Sequence, residues 1–356
     1  MKSNVIVTAL LFSVLSTACR KNQDSDMGGN DRDIRKLSEF FAAHEVKNET
    51  FTINAATGGT VTTRKGTVIT FPANAFKNAS NQIVTGNVTV HVRDLFQPAD
   101  MILSNRPTNA DHGMLISYGE INVQAEQNGA RLQLSDSVTR VRVPAAPNPT
   151  TGGQIREIPM WRGDTTLYTT LSGHNHENQP TTVNMAIPYS RGINWSQIPG
   201  RFATNNMNGT SSFVLDSLGA WRNVDVFYAD PRPKTTVLGY FSNQWNSSTA
   251  TGHMYHEPNM LYFKVRNQNI LVKLTSKILN APNDKRGFLS YQNVMPIGLE
   301  GTFLAVSFNN NKIYAEMKDV TIGSPDPGKN YVPVTFVLSE VTESQLLSMI
   351  QQMNNR

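Results

Sequence analysis

Two short clusters of histidine and glutamate are the residues best suited to chemistry in this sequence. They are His174-x-His176-Glu177 and His253-x-x-His256-Glu257. Neutral imidazoles are ordinary zinc ligands, at ~2.0–2.1 Å from the metal, and residues two apart share one face of a β-strand. The histidines therefore form a candidate metal site for a hydrolase. The alternative is exposed loop histidines, because both clusters lie in polar segments and neither has the His-Glu-x-x-His spacing.

Motifs for other reaction mechanisms are absent or incomplete. The sequence has no Gly-x-Ser-x-Gly, no Gly-x-x-x-x-Gly-Lys and no Gly-x-Gly-x-x-Gly. Asp225 and Asp230 are a candidate carboxylate pair for glycoside hydrolysis, but a spacing of five places them on opposite faces of a regular strand. We therefore expect no cofactor, and a non-catalytic protein is favoured over an enzyme.

Aromatic residues near polar turns are candidates for ligand binding. Flat rings at such positions can stack on a sugar or a peptide. The alternative for each ring is packing in the core or anchoring of a turn. The candidates are Trp195, Trp221, Trp245, Tyr255 and Tyr262.

Composition excludes several classes of protein. The 356 residues carry 32 Lys+Arg and 27 Asp+Glu, a net charge of +5, and charged residues make up only 17%. The 39% of hydrophobic residues suffices for a core, which excludes global disorder. One cysteine excludes a disulfide framework. Since no basic run is interleaved with aromatic residues, we expect no nucleic acid partner.

The N-terminus has the pattern of an exported protein. Lys2 precedes an apolar run from Val5 to Leu15, which is shorter than the ~20 residues needed to cross a bilayer. Residues 1–18 therefore read as a signal peptide. Leu15-Ser-Thr-Ala-Cys19 resembles the lipobox of bacterial lipoproteins, which implies that Cys19 is lipid-modified and becomes the first mature residue.

A polar tether is predicted for residues 19–30. Its acidic residues resemble the surface-export signals of Bacteroidota lipoproteins, although they are not contiguous. We expect attachment to a membrane through the N-terminal lipid. The expected location is the outer membrane, with surface display favoured over the periplasmic face.

A short amphipathic helix is predicted for residues 31–48. Ile34, Leu37 and Phe40-Phe41 fall on one face at helical spacing, and Asp31 or Asp33 is a candidate N-cap. We expect this helix to dock on the first β-domain that follows it.

The remainder of the chain is predicted to be mainly β, with antiparallel sheets. Apolar and polar residues alternate, as at Val88, Val90 and Val92, which indicates strands with one face exposed to water. We predict a β-sandwich at 49–145, a linker or hairpin region at 146–180, and a second β-rich domain at 181–356. The last ends in a helix with the capping box Thr342-x-x-Gln345.

Residues 58–76, which read GGTVTTRKGTVITFPANAF, resemble the opening of the ZU-type β-domain of ankyrins and netrin receptors. With Val84–Val88, Pro98–Leu103 and Leu115–Glu120, they are similar to Bacteroidota envelope lipoproteins of unassigned function. The resemblance implies a fold and not a chemistry. Eukaryotic relatives use this domain for protein contacts, and the His-Phe-Ser autocleavage site of some of them is absent here.

Three short motifs resemble the O-glycosylation sequon of Bacteroidota. They place candidate modification sites at Ser137, Thr165 and Ser217. The function that we expect is a non-catalytic binding or scaffold module whose partner is an envelope protein or a glycan. The alternative is a glycan-directed or metal-dependent hydrolase that uses the histidines.

Overall fold

The computed structural model describes residues 29–110, 113–135, 138–147, 156–165, 185–188, 192–247, 257–274, 276–279 and 286–356. The chain is mainly β, with 51% in strands and 12% helical, which confirms the predicted fold class. In these ranges, no helix combines the length and the apolar character needed to cross a membrane.

The helices are α1 (Gly29–His44), α2 (Pro98–Leu103) and α3 (Glu343–Gln352), followed by a 3₁₀ helix at Met353–Asn355. The first strands are β1 (Glu49–Asn54), β2 (Gly59–Thr62), β3 (Val68–Phe71), β4 (Phe76–Lys77), β5 (Asn87–Leu95), β6 (Asn109–Ala110), β7 (Gly113–Gln127), β8 (Ala130–Arg131), β9 (Gln133–Leu134), β10 (Arg140–Val143), β11 (Glu157–Asp164), β12 (Met185–Pro188), β13 (Asn194–Asn205), β14 (Ser211–Val214) and β15 (Trp221–Phe227). They are followed by β16 (Lys234–Phe241), β17 (Asn259–Val265), β18 (Leu271–Lys273), β19 (Ser276–Leu279), β20 (Arg286–Leu289), β21 (Met295–Pro296), β22 (Glu300–Asn309), β23 (Lys312–Thr321), β24 (Tyr331–Phe336) and β25 (Ser339–Val341).

The first sheet has the strand order β1-β5-β7-β15-β11-β13-β14-β10-β3-β2, with β6 and β8 paired at its side. Strands from both ends of this order, represented by Ile53 on β1 and Val61 on β2, bury side chains in one shared core. The sheet therefore curls around its own core. The predicted alternation is confirmed, because Val88, Val90 and Val92 are all fully buried there.

The first sheet continues past residue 145. Strands β11, β13, β14 and β15 come from residues 157–227 and belong to it. Strand β15 pairs with β7 on one side and with β11 on the other. The alternation of apolar residues indicates that these segments are strands, but it does not predict which strands pair with one another.

The second and third sheets pack face to face. The second has the order β12-β19-β20-β16-β21, with β24 parallel to β16, and the third has the order β18-β17-β22-β23-β25. Phe241 and Phe336 of the second sheet and Phe263 and Phe303 of the third lie in the core between them. These sheets form a sandwich of their own.

Helices cover the other face of the third sheet. Leu346 and Ile350 of α3 are buried there together with residues of α1 and α2. The predicted capping box is confirmed: the hydroxyl of Thr342 accepts a bond from the Gln345 N–H at 3.2 Å, and the Gln345 side chain accepts one from the Thr342 N–H at 2.7 Å.

Helix α1 buries its apolar face on the third sheet, so the predicted docking of this face on the first β-domain is wrong; the C-terminal half of α1 meets the first sheet at a pocket described below. The rings of Phe40 and Phe41 lie 5.8 and 6.4 Å from that of Phe308 on β22. Asp33 lies inside the helix instead of capping it, and its carboxylate accepts bonds from the N–H groups of Asn310 (3.0 Å) and Asn311 (2.5 Å). Helical spacing predicts which face of α1 is apolar. Which sheet covers this face depends on the tertiary structure and does not follow from the spacing.

Candidate functional site

A pocket of about 480 Å³ lies where α1 meets the outer face of the first sheet. We call it the helix pocket. Its walls are the C-terminal half of α1, strands β5, β7 and β15, and the segment that follows α2. The residues that line it are Ser38, Phe41, Ala42, Glu45, Asn48, Arg93, Ser104, Arg106, Asn122, Gln124, Thr165, Gly219 and Trp221.

An ion pair joins the residue that follows α1 to the first sheet at this pocket. The guanidinium of Arg93 on β5 lies 3.3 Å from the carboxylate of Glu45 and donates a 3.0 Å bond to the side chain of Asn48. Glu45 is also paired with Lys47 at 3.1 Å. The Glu45 carboxylate is therefore engaged in structural ion pairs with both cations.

Strand β7 contributes two amides to the pocket. The Gln124 amide donates to the Asn122 carbonyl at 2.9 Å, and the Asn122 amide donates to the backbone carbonyl of Gly219 at 2.9 Å. This relay holds both side chains in one orientation, so their remaining donor and acceptor groups are preorganised.

Trp221 and Arg106 form the inner part of the wall. Cζ of Arg106 lies 5.2 Å from the centroid of the Trp221 ring, a cation–π geometry. Arg106 also donates to the backbone carbonyls of Asn105 (2.9 Å) and Gly192 (3.1 Å). Gly192 has φ +76°, and a Cβ at this position would collide with the Asn105 carbonyl. The close approach of the two chain segments therefore requires glycine.

Ser104 ends α2 and faces the same pocket. It is 7% exposed, and its hydroxyl has no hydrogen-bond partner in the described part of the chain. A buried hydroxyl without a partner costs free energy unless water or a ligand supplies one.

A buried polar layer lies between β7 and β15. Glu120 and Asn223 are directly paired residues, and the Asn223 amide donates a 2.5 Å bond to Asp225. Glu120 and Asp225 are fully buried, and both Glu120 oxygens lack a partner among the described residues. Burial, and for Glu120 also the charge of Asp225, raise the pKa of both carboxyls well above the usual range.

Neither acid of the candidate pair Asp225 and Asp230 is free for acid–base catalysis. Asp230 is exposed by only 7% and pairs with Arg232 at 2.5 Å. Its hydrogen bond from Arg232 lowers the pKa of Asp230 below the usual range. It also accepts a 2.9 Å bond from Tyr228, whereas Asp225 belongs to the buried layer.

The four histidines of the two clusters and Glu177 lie outside the described residues, whereas Glu257 is described and is 7% exposed. Cys19, Ser137 and Tyr255 also lie outside the described residues. Across the ranges that the structure describes, no three His, Cys, Asp or Glu residues converge as metal ligands would.

The candidate aromatic residues that are described are buried or, for Trp245, half-buried. Trp195 is 1% exposed and donates a 2.9 Å bond to the Pro107 carbonyl, while Tyr262 is fully buried. Trp245 packs its ring at 5.3 Å from those of Phe241 and Phe288. Core packing describes these three residues. Trp221 is also buried, at 8% exposed and in a cluster with Trp161 and Trp195, but it lines the helix pocket as well.

Two candidate glycosylation residues are described. Ser217 is half-buried and its hydroxyl accepts a 2.5 Å bond from Arg222, which is itself paired with Asp216 at 2.7 Å. Thr165 is half-buried and lines the helix pocket.

Sequence reasoning missed Arg93, Arg106, Ser104 and Glu120. The polar residues of β7 were expected on a face exposed to water, yet Glu120 is fully buried and Asn122 is 5% exposed. The α1 helix and the segment after α2 cover this face, and no local pattern indicates that cover. The Gly119-Glu120 pair within a strand is the one local signal, since glycine inside a strand marks a bulge or a close approach.

Comparison with family models, with curated proteins and with solved structures found no match for this chain.

Proposed function

We propose that this protein is a membrane-anchored lipoprotein of the cell envelope that binds a glycan in the helix pocket without catalysing a reaction on it. The anchor is the lipid on Cys19, and the proposed location is the outer membrane, with surface display favoured. The lipobox-like sequence and the resemblance to Bacteroidota lipoproteins with a ZU-type domain support this part of the proposal.

The ion pairing of Glu45 is the observation that supports a non-catalytic function. Among the described residues that line the helix pocket, Glu45 is the only carboxylate, and it pairs with Arg93 and Lys47. Most glycoside hydrolases need two carboxyl groups ~5–9.5 Å apart. The proposal therefore includes no acid–base pair and no cofactor.

A glycan fits the lining better than a protein surface does. The site is concave, which is typical of small-ligand sites and not of flat protein interfaces. The amides of Asn122 and Gln124 supply donors and acceptors that match sugar hydroxyls. Trp221 supplies an aromatic ring at the inner wall.

Binding of simple sugars to the purified chain tests the proposal. Methyl glycosides of glucose, galactose and N-acetylglucosamine are titrated while saturation-transfer NMR and thermal unfolding are recorded. We expect at least one to bind and to raise the melting temperature, since a ligand that binds only the folded state stabilises it. Gln124→Ala should weaken binding about tenfold, equivalent to ~1.4 kcal/mol.

Gln133→Ala is the matched control, because Gln133 is an exposed amide on β9 that does not line the pocket. Its affinity should equal that of the unmodified protein. The proposal is overturned if no glycoside binds, if Gln124→Ala binds as tightly as the control, or if the glycosidic bond is cleaved.

A further inference from the structure

A second and larger cavity separates the first sheet from the third. We call it the inter-sheet cleft, and its volume is about 1060 Å³. One wall is formed by residues 96–100 and 116–118 of the first sheet and α2. The other is formed by the β17–β18 turn and the last residues of the chain.

The first wall of the cleft is aromatic. Phe96, Ile116 and Tyr118 line it and are half-buried. Strand β7 has an extra residue relative to β15 at this point, a β-bulge that includes Gly119. With φ +146°, Gly119 has no room for a side chain, because a Cβ would lie 2.5 Å from Cε1 of Phe96. The bulge thus brings the Phe96 ring and the Tyr118 side chain to the same cavity.

The second wall presents free side-chain amides. Asn267, Gln268 and Asn355 line the cleft, and their side chains make no hydrogen bond within the described part of the chain. The hydroxyl of Tyr118 is likewise unbonded among the described residues. Burial raises the pKa of Tyr118, so the hydroxyl stays protonated and can donate.

Side-chain amides lock the two walls together. Asn269 on the β17–β18 turn donates to the carbonyls of Phe96 (2.9 Å) and Ser117 (2.8 Å). At the other end, the side chain of Asn354 accepts a 2.8 Å bond from the Ala99 N–H. The cleft is therefore preformed, which reduces the entropic cost of binding.

The charged groups of the cleft are already engaged. Lys65 pairs with Asp100 at 2.7 Å, and Arg356 pairs with Asp319 at 3.0 Å. Lys264 is 3% exposed, and its ammonium donates to backbone carbonyls, among them that of Arg356 at 2.9 Å. The surface left for a ligand is aromatic and amide in character, which favours a neutral, hydroxyl-rich ligand over an ionic one.

We infer that the inter-sheet cleft is a second binding site, which takes an extended chain of a neutral oligosaccharide. Rings of Phe96 and Tyr118 stack on the apolar faces of sugar rings, and the facing amides bond their hydroxyls. A peptide that binds by strand addition is disfavoured, because this mode needs a free strand edge. Ile116 already pairs with Val226, and the Ser117 N–H bonds the Asn269 carbonyl at 3.0 Å.

Calorimetry on the purified full chain tests the inference. The probes are neutral hexasaccharides of glucose, xylose, mannose or N-acetylglucosamine, with a mixed-sequence decapeptide pool as the competing ligand class. We expect a hexasaccharide to bind. The double variant Asn267→Ala/Gln268→Ala, whose residues are exposed on a turn, should weaken its affinity about tenfold or more. Tyr118→Phe, which keeps the ring, should weaken it a few-fold, and Gln133→Ala should leave it unchanged.

The helix pocket variant Gln124→Ala distinguishes failure of this inference from failure of the proposed function. Gln124→Ala should leave hexasaccharide affinity unchanged while it weakens the methyl glycosides. If Gln124→Ala abolishes hexasaccharide binding and the cleft variant does not, the hexasaccharide binds in the helix pocket. The inference then fails, although the proposed function stands. Binding of peptides alone, binding of no hexasaccharide, or equal affinity in the cleft variant also overturns the inference.

Discussion

The ammonium group of Lys273 donates a 2.8 Å hydrogen bond to the side-chain carbonyl of Asn105. This bond joins β18 of the third sheet to the segment that follows α2, and both residues are buried. The ammonium also lies 5.7 Å from the centroid of the Tyr262 ring. Burial lowers the pKa of Lys273 to about 7, while Glu257 raises it and Arg106 lowers it to smaller extents.

Replacing Lys273 should change how stability depends on pH. An unfolded lysine titrates near ~10.4, so between about pH 7 and that value the unfolded chain binds more protons than the folded one. The free energy of unfolding therefore rises with pH in this window, by at most ~1.4 kcal/mol per pH unit from this group. We expect Lys273→Met to remove this rise in urea denaturation curves. The half-buried Lys77 on β4 is the control, and equal slopes in the two variants would contradict the assignment.

Glu120→Gln should stabilise the protein at neutral pH. Burial and Asp225 raise the pKa of Glu120 in the folded state, whereas the unfolded carboxyl ionises near ~4.3. The folded chain therefore binds more protons above that pH, and stability falls as the pH rises towards the folded pKa. We expect the free energy of unfolding to be higher in Glu120→Gln at pH ~7, and the gain to disappear at pH ~4, where the unfolded carboxyl is also largely protonated. Glu126→Gln, on the same strand, is the control; a loss of stability in Glu120→Gln at pH ~7 is the opposing result.

Asp33→Ala should loosen α1. The carboxylate of Asp33 accepts bonds from Asn246 (3.0 Å), Asn310 (3.0 Å) and Asn311 (2.5 Å), and it is 2% exposed. Loss of these bonds should cost about 1–3 kcal/mol in the free energy of unfolding. Proteolysis within α1 should accelerate, and affinity in the helix pocket should fall, because α1 is one of its walls. Glu39→Ala, exposed on the same helix, should change none of these quantities.

Cys19→Ala should release the exported protein from the membrane. Two or three acyl chains, at ~0.8 kcal/mol per buried CH₂, give stable anchoring, and the variant has no thiol to acylate. Fractionation should recover the unmodified protein and a Ser25→Ala variant, changed outside the lipobox-like motif, with membranes, and Cys19→Ala in the soluble fraction. Retention of Cys19→Ala on membranes would disprove the lipoprotein assignment.

Elemental analysis of the purified, tag-free chain should find no stoichiometric zinc. The helix pocket and the cleft are proposed as binding sites that need no metal. One equivalent of zinc that is lost in His253→Ala/His256→Ala would instead support the hydrolase alternative, since these histidines have side chains that ligate zinc.

Local sequence patterns are sufficient to predict individual strands and helices. Alternation at Val88, Val90 and Val92 predicts β5 because a strand places every second residue on one face. The capping box of α3 is likewise a local event between Thr342 and Gln345. Neither pattern indicates which surface an element packs against. For this reason the sequence predicts the docking of α1 on the wrong sheet.

The sequence by itself determined a mainly β protein with a short helix at each end, and it predicted an N-terminal lipid anchor. These features depend on periodicity and short motifs, which act over a few residues. Only the tertiary structure decided that the polar face of β7 is covered, that Arg93 meets Glu45 at the helix pocket, and that Tyr118 and Gln268 line the same inter-sheet cleft. Those contacts join segments far apart in the chain, and their free energy comes from burial and pairing that exist only once the sheets have packed.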